Sequence, residues 1–487
     1  IMQTTLEFKL PRSTPETQGI SSSAISNFLS GVEEQGLEFH SFMLLRHGQV
    51  VAEGWWNPYS ADKIHLLYSV SKSFASTAIG FALDEGLLSE DDFVTSFFPE
   101  DLPETVSEHL AAMRVRHLLS MATGHTTDTT ERVGQTNTWV KNFLSLPPEK
   151  APGSIFCYNS GATFMLSAIL QKVTGMKLVD YLQPRLFEPL SMSQARWDET
   201  PQGMSLGFSG FYTTTESVAK LGQLYLQKGI WQGERLLSEK WIETATRKHI
   251  SNVSTTEVKT ADWEQGYGYQ FWRCQHGAYR ADGAFGQFCV VMLEQDAVLA
   301  VTSAVEDMQA VLDLAYEHLL PAMKAAPLTE VQGEHDVFLK QLSKLTISPV
   351  RGEKTSTMAR AVSGKTYHLE SSSENFQTVT LHFHDEDCLL SFSDSTRKHE
   401  VVCGYNTWQS GTTTLPAEVN LFHSHPNKVE ASGAWTDANI FTVKIIYIET
   451  PHCLTVTFHF DGSKLTLKRK CNVSFGPLNS PILTGSQ

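Results

Sequence analysis

No apolar run in this chain approaches the roughly 20 residues that a bilayer-crossing helix needs, so a transmembrane helix is not expected. Residues 1–19 carry scattered charges and two prolines. They lack the basic start, apolar middle and small-residue cleavage site of a secretory leader. The expected location is the cytoplasm, unless a leader was trimmed ahead of this numbering. Cysteine is sparse, with seven residues spread widely and none in a CxxC pair or a Cys/His cluster of zinc-site spacing. Free thiols in a reducing compartment are the expectation. Positive charge is also short: Lys and Arg total 38 against 53 Asp and Glu, a net charge of -15. A surface that acidic repels phosphate backbones and anionic lipid, which argues against a nucleic-acid partner and against a membrane surface. Internal repeats and low-complexity tracts are absent as well.

What is present suits a folded enzyme. The chain has 487 residues, 41% hydrophobic and 19% charged, which is enough for two or three cored domains. Residues 21–35 read as a helix capped by one of Ser21, Ser22 and Ser23, with Ile25, Phe28, Leu29 and Val32 on one face. A hairpin follows, with strands at 41–46 and 49–56 joined at His47-Gly48. Residues 68–85 form an apolar helix whose packing positions, such as Ala75, Ala78 and Ala82, are small. From 91 to about 210 the pattern is helical, clearest at 115–121, 159–174 and 178–187. The Thr- and Gly-rich stretch 123–136 is read as a loop. Helices are expected at 217–227 and 238–248, strands at 268–273, 287–294 and 297–304, and a helix at 308–320. Strands at both ends of this segment imply one sheet with a helical insertion.

After a polar connector with a helix at 335–345, the texture changes. Short β-like runs recur at 366–369, 379–383, 388–392, 430–435, 441–447, 455–460 and 465–467. They predict an all-β sandwich or barrel. The expected division is a domain over 1–327, a connector over 328–354 and an all-β domain over 355–487.

The chemistry concentrates in Tyr68-Ser69-Val70-Ser71-Lys72-Ser73-Phe74. A Ser and a Lys three apart at a helix start share a face. Ser69 gains there from backbone donors and the positive end of the helix dipole. A free serine hydroxyl is a weak nucleophile, and a lysine in a water-poor cleft with a lowered pKa can take its proton. Further on stand Tyr158-Asn159-Ser160, ahead of an apolar helix, and Arg280-Ala281-Asp282-Gly283-Ala284-Phe285-Gly286-Gln287, ahead of a strand.

On these three segments the chain resembles the serine β-lactamase and penicillin-binding-protein superfamily. Within it, the class C β-lactamase, carboxylesterase, D-aminopeptidase and 6-aminohexanoate-dimer hydrolase branch is most similar. His117-Leu118-Leu119-Ser120-Met121-Ala122-Thr123-Gly124, Leu186-Phe187-Glu188-Pro189-Leu190-Ser191-Met192 and Gly210-Phe211-Tyr212-Thr213-Thr214 extend the resemblance over roughly residues 10–325. It implies an α/β (α+β) fold, a mostly antiparallel sheet flanked by helices with a helical subdomain. It also implies Ser69 as nucleophile, Lys72 as its activating partner and Tyr158 as proton shuttle to the leaving group. Ser160 stands where the family has Asn. Ala281-Asp282-Gly283 stands where it has Lys-Thr-Gly or His-x-Gly, so the usual cationic or imidazole group is missing. By the same resemblance Ser160, Asp282, Gly283 and Ala284 line the substrate. The N–H groups of Ser69 and Ala284 form the oxyanion hole. No metal and no organic cofactor is called for.

Each residue also has a plainer reading. Tyr158 fits a core position, Ser160 a helix cap, Lys72 a solvated helix face, and Asp282-Gly283 an ordinary turn. His382-Phe383-His384 and His423-Ser424-His425 read as packing or surface histidines, and Cys157 as a buried neighbour of Tyr158. Trp55-Trp56 and Trp139 either line a cleft or pack. The expected function is a serine hydrolase acting on small esters or amides, D-amino-acid peptides among them, through an acyl-serine. Two rivals are a non-catalytic ligand-binding or scaffolding module on the same fold, and a true β-lactamase or D-Ala-D-Ala carboxypeptidase.

Overall fold

The computed structural model describes residues 8–253, 261–370 and 375–487, apart from 418, 420 and 424. The chain forms two compact units. The first comprises Ile1–Gly54, Leu66–Ser303 and Asp307–Lys344; the second comprises Trp55–His65, Ala304–Glu306 and Leu345–Gln487.

The first unit is built on a six-stranded sheet. Its strands are β1 (Glu38–Arg46), β2 (Gln49–Trp55), β3 (Trp272–Arg273), β4 (Tyr279–Gly283), β5 (Gln287–Met292) and β6 (Ala297–Ala304). Their order is β2-β1-β6-β5-β4-β3, so strands from both ends of the segment meet in one sheet. The hairpin turn places His47 and Gly48 at φ 49° and 74°, the pair of positive values that matches strand twist. Strands β3 to β6 pair antiparallel. Only the last two residues of the expected strand over 268–273 join the sheet, because Gln270 takes a positive φ of 66° and breaks the extended run.

Helix α1 (Ser22–Glu34) is capped by Ser21, whose hydroxyl accepts from the Ala24 N–H at 3.2 Å. Helix α2 (Ser71–Asp84) is almost wholly buried, with Phe74, Ala75, Ala78, Ile79 and Ala82 at its core. Helix α3 (Ser160–Thr174) packs against α2, and α4 (Thr215–Leu226) packs on β5. Helix α5 (Met308–Leu314) passes into a π turn at Ala315–Leu319, and α6 (Gln332–Leu342) lies against α1. No helix among the described residues is long and apolar enough to cross a membrane.

The second unit is a closed barrel of nine strands. They are β7 (Thr366–Leu369), β8 (Thr378–Phe383), β9 (Asp387–Ser393), β10 (Lys398–Tyr405), β12 (Asn427–Asp437), β13 (Ile440–Tyr447), β14 (Cys453–Asp461), β15 (Lys464–Cys471) and β16 (Leu483–Ser486). A short strand β11 (Gln409–Thr413) is appended to β12. The order runs β10-β9-β8-β7-β16-β15-β14-β13-β12, and a parallel pairing of Gly404 with Ser432 and Tyr405 with Gly433 closes the ring. Closure leaves none of the nine with a free edge. The interior is aromatic and aliphatic, including Trp435, Phe441, Phe458 and Phe460. Residues 55–65 belong here. Tyr59 packs with Ile446 and Ile448 and donates its hydroxyl to the Thr450 carbonyl at 2.7 Å.

Candidate active site

Ser69 sits in a single 3-10 turn, Tyr68–Val70, that feeds directly into α2. The turn is strained: Tyr68 holds a φ of 48°, a conformation bulky residues avoid. A second strained point faces it after β4, where Phe285 has a φ of 66°. The two rings pack edge to face with centroids 5.5 Å apart, which locks both turns. Gly283 stands at the end of β4, and a Cβ there would lie 2.1 Å from the Leu67 carbonyl oxygen and 3.0 Å from the Ser69 nitrogen. Only glycine lets the strand approach the serine this closely. Ala284 follows, half-exposed, in the turn beside it.

Lys72 lies one turn further along and is 2% exposed. Its ammonium donates to Ser69 Oγ at 2.9 Å and to the Phe208 carbonyl at 2.9 Å. Burial pushes it down from 10.5 to about 7, against the opposing pull of the Asp128 and Asp282 carboxylates. Burial thus moves the lysine toward the neutral form that a proton acceptor needs. The Tyr158 ring lies under the same nitrogen, its centroid 4.8 Å away. Its hydroxyl hydrogen-bonds Ser69, while burial and the Asp282 charge push the phenol well above its usual value. It remains protonated at neutral pH and can give a proton. The structure thus brings Ser69, Lys72 and Tyr158 together, from the start of α2 and the segment before α3.

The remaining expected residues take different places. The cap of α3 is Asn159, whose fully buried side-chain oxygen accepts from Gly161 N at 3.1 Å and from the Thr129 backbone and hydroxyl at 3.0 and 2.7 Å. Ser160 does not cap; it is the first helical residue, and its N–H donates to Asp128 Oδ1 at 3.0 Å. Asp282 and Gly283 are the last two residues of β4 rather than a turn. Asp282 is 6% exposed and accepts from Arg280 Nε at 2.8 Å and from the Trp272 indole. Arg280 shares its strand face and is fully buried. Its guanidinium also donates to the Asp262 and Arg273 carbonyls at 3.0 and 3.1 Å. These contacts use Nε and Nη1, while the buried Nη2 has no hydrogen-bond partner among the described residues. Ala281 is buried on the other face, opposite Cys289.

Three contributors escaped the sequence reading. Asp128 is an exposed carboxylate of the Thr-rich loop that acts on Lys72 and Tyr158 through space. The Phe208 carbonyl anchors Lys72, and Trp139 stacks behind the Phe208 ring at 6.4 Å. Trp272 packs on Tyr158 with centroids 5.3 Å apart. A carboxylate in a loop, a backbone oxygen and an aromatic neighbour carry no motif of their own. Elsewhere, His384 is paired with Asp387, and the His423 and His425 rings stack, with Ser424 outside the described residues. All seven cysteines are free, Cys157 half-buried with its thiol pushed up to about 11.

A serine-lysine-tyrosine cluster between a buried helix and a sheet edge is the architecture of the penicillin-recognising hydrolase fold. A penicillin-binding-protein homologue from Caulobacter crescentus superposes with a TM-score of 0.52 at 16% identity, over 64% of this chain and all of that one. A family VIII carboxylesterase does so with a TM-score of 0.51 at 15% identity, over 63% of this chain and 99% of that one. In sequence, the 6-aminohexanoate-dimer hydrolase of Paenarthrobacter ureafaciens is 25% identical over 289 residues, 55% of this chain and 73% of that protein. The beta-lactamase of Escherichia coli (strain K12) is 21% identical over 210 residues, 43% of this chain and 53% of that protein. The family profile described as Beta-lactamase matches residues 26–321. The chain belongs to the beta-lactamase family, and the relatives above include proteins named as a 6-aminohexanoate-dimer hydrolase, a carboxylesterase and a beta-lactamase.

Proposed function

We propose that the protein is a serine hydrolase of small esters and amides that works through an acyl-Ser69 intermediate. The observation that carries this reading is the 2.9 Å contact between Lys72 Nζ and Ser69 Oγ in a site dry enough to bring the lysine to about 7. Neutral Lys72 takes the serine proton as Oγ attacks the carbonyl carbon. The N–H groups of Ser69 and Ala284 receive the developing oxyanion. Tyr158, protonated at neutral pH, gives its proton to the departing alkoxide or amine. The proton taken by Lys72 restores Tyr158, and water then hydrolyses the acyl-serine, its hydroxyl going to the acyl carbon and its proton to Ser69 Oγ.

The site also suggests a charge preference. Asp282 acts on both Lys72 and Tyr158, Arg280 is fully buried and paired with Asp282, and the chain carries a net charge of -15. A substrate carboxylate near this strand would lack a charge-assisted contact worth roughly 1.5–3 kcal/mol, about 10- to 150-fold in affinity. Neutral or cationic esters and amides are therefore favoured, and β-lactam turnover is weak.

The test is fluorophosphonate labelling with peptide mapping, run beside kcat/KM for a neutral ester and its free-carboxylate analogue. The expected adduct is on Ser69, lost in Ser69→Ala, with the neutral ester preferred. An adduct on another serine or on Cys157 overturns the nucleophile. Preference for the carboxylate analogue, or efficient cephalosporin turnover, overturns the charge argument alone.

A further inference from the structure

A second cluster of ligating side chains uses none of the Ser69-site residues. It forms where the 3-10 turn Glu16–Gln18, just ahead of α1, meets the segment leading into α6. One carboxylate oxygen each from Glu16 and Glu330 and one ring nitrogen of His335 all lie within 4.8 Å of one another. The backbone holds this meeting in place, since the Leu328 N–H donates to the Glu16 carbonyl at 2.8 Å.

Glu16 is the informative member. It is only 4% exposed, unusual for a carboxylate. Its Oε1 accepts the Ser22 N–H at 2.7 Å. Its Oε2 is buried and has no hydrogen-bond partner among the described residues. Neither Glu16 nor Glu330 forms an ion pair with lysine or arginine among those residues. A buried carboxylate oxygen with no donor is costly, and a cation is the usual remedy.

The donor set indicates which cation. An imidazole nitrogen with two carboxylates suits Zn²⁺, whereas Mg²⁺ and Ca²⁺ prefer all-oxygen shells. Donor atoms about 2.0–2.2 Å from a metal sit closer together than 4.8 Å, and exposed Glu330 is free to swing inward to close the difference. The Ser22 hydroxyl lies 3.0 Å from His335 Nδ1 and orients the ring, as outer partners of metal-bound histidines do. From this geometry we infer a Zn²⁺ site of Glu16, Glu330 and His335 that joins the start of α1 to α6. Exposed Glu330 leaves room for water in the remaining coordination positions. Sequence could not announce it, because Ser22 and His335 are 313 residues apart.

The test uses the full chain, stripped with chelator and then titrated with ZnCl₂, MgCl₂ or CaCl₂, read by calorimetry and by thermal midpoint. Binding to the native state should raise the midpoint with Zn²⁺ concentration. Mg²⁺ should not substitute. His335→Ala and Glu330→Gln, both away from the buried core, should each weaken Zn²⁺ binding at least about tenfold, since even outer-shell partners are worth that much. Glu16→Gln should do the same, and if it fails to fold the other two variants decide. Absence of Zn²⁺ binding overturns the site. So does Zn²⁺ binding unchanged in both outer variants, which would place the metal elsewhere. Ca²⁺ binding that ignores His335→Ala overturns the nitrogen ligand and with it the Zn²⁺ assignment.

Discussion

Lys72 is held where a lysine is least comfortable. Bringing its pKa from 10.5 to about 7 corresponds to roughly 5 kcal/mol at about 1.4 kcal/mol per pH unit. Lys72→Met removes that burden and leaves the Phe208 carbonyl without a donor, a loss of about 1–3 kcal/mol. The burial term is larger, so the variant should be inactive yet melt higher than the parent at pH 7. The sign of the pH dependence follows. The unfolded chain holds the lysine proton up to about 10.5 and the folded chain releases it near 7, so parent stability rises with pH across that window. The advantage of Lys72→Met should shrink accordingly between pH 7 and 10 in thermal melts. Asp128 pulls Lys72 the other way. Asp128→Asn keeps an acceptor for the Ser160 N–H while deleting the charge, so the acid limb of kcat/KM should move to lower pH. A limb that stays put, measured on a neutral ester, would remove Lys72 from the role of base.

At the scale of elements, the nucleophile turn and the end of β4 act as one piece. Gly283→Ala forces a methyl into the Leu67 carbonyl and the Ser69 amide. Overpacking of this kind costs about 1–3 kcal/mol of stability. It also displaces both proposed oxyanion donors, so ester turnover should fall by about 10²-fold or more, in keeping with the loss of one such donor. Steady-state kinetics beside a thermal melt separates the two effects. Much of this scale was legible in the sequence. The helix after Ser69, the hairpin at His47-Gly48 and the strand after Gly286 are written in periodicity and turn residues. Strand β10 was not, because its inward positions include His399, a polar residue satisfied by Thr414 and Asp394. Period-two reading counts apolar side chains, and a buried histidine with partners is invisible to it. The Arg280–Asp282 pair was hidden for a related reason: two charges look solvated until burial and geometry show them holding each other.

For the whole molecule, the notable fact is that the units are not consecutive in sequence. The barrel-containing unit takes in Trp55–His65, whose Tyr59 is buried with Ile446 and Ile448. Asn57 also bridges to Thr346. A chain ended at residue 344 would strip Asn57 and Tyr59 of every one of those partners and leave the Tyr59 ring facing water. Such a truncation should be poorly soluble and bind a hydrophobic dye, whereas the full chain should not. Adding Tyr59→Ser to the truncation should recover solubility, measured by gel filtration. Hydropathy alone could not assign 55–65 to a distant partner, since its apolar residues fit a local hairpin equally well.

That arrangement carries a consequence for biosynthesis. Tyr59 and the Thr450 carbonyl it bonds are 391 residues apart. At roughly 5–20 residues per second, a ribosome needs roughly 20–80 s to travel between them. Throughout that interval an aromatic-rich stretch has left the exit tunnel while its receiving strands are still unread message. A nascent chain in this state is a natural client for holdase chaperones. Codon changes that slow the ribosome between positions 65 and 345 would lengthen its exposure without altering a single amino acid.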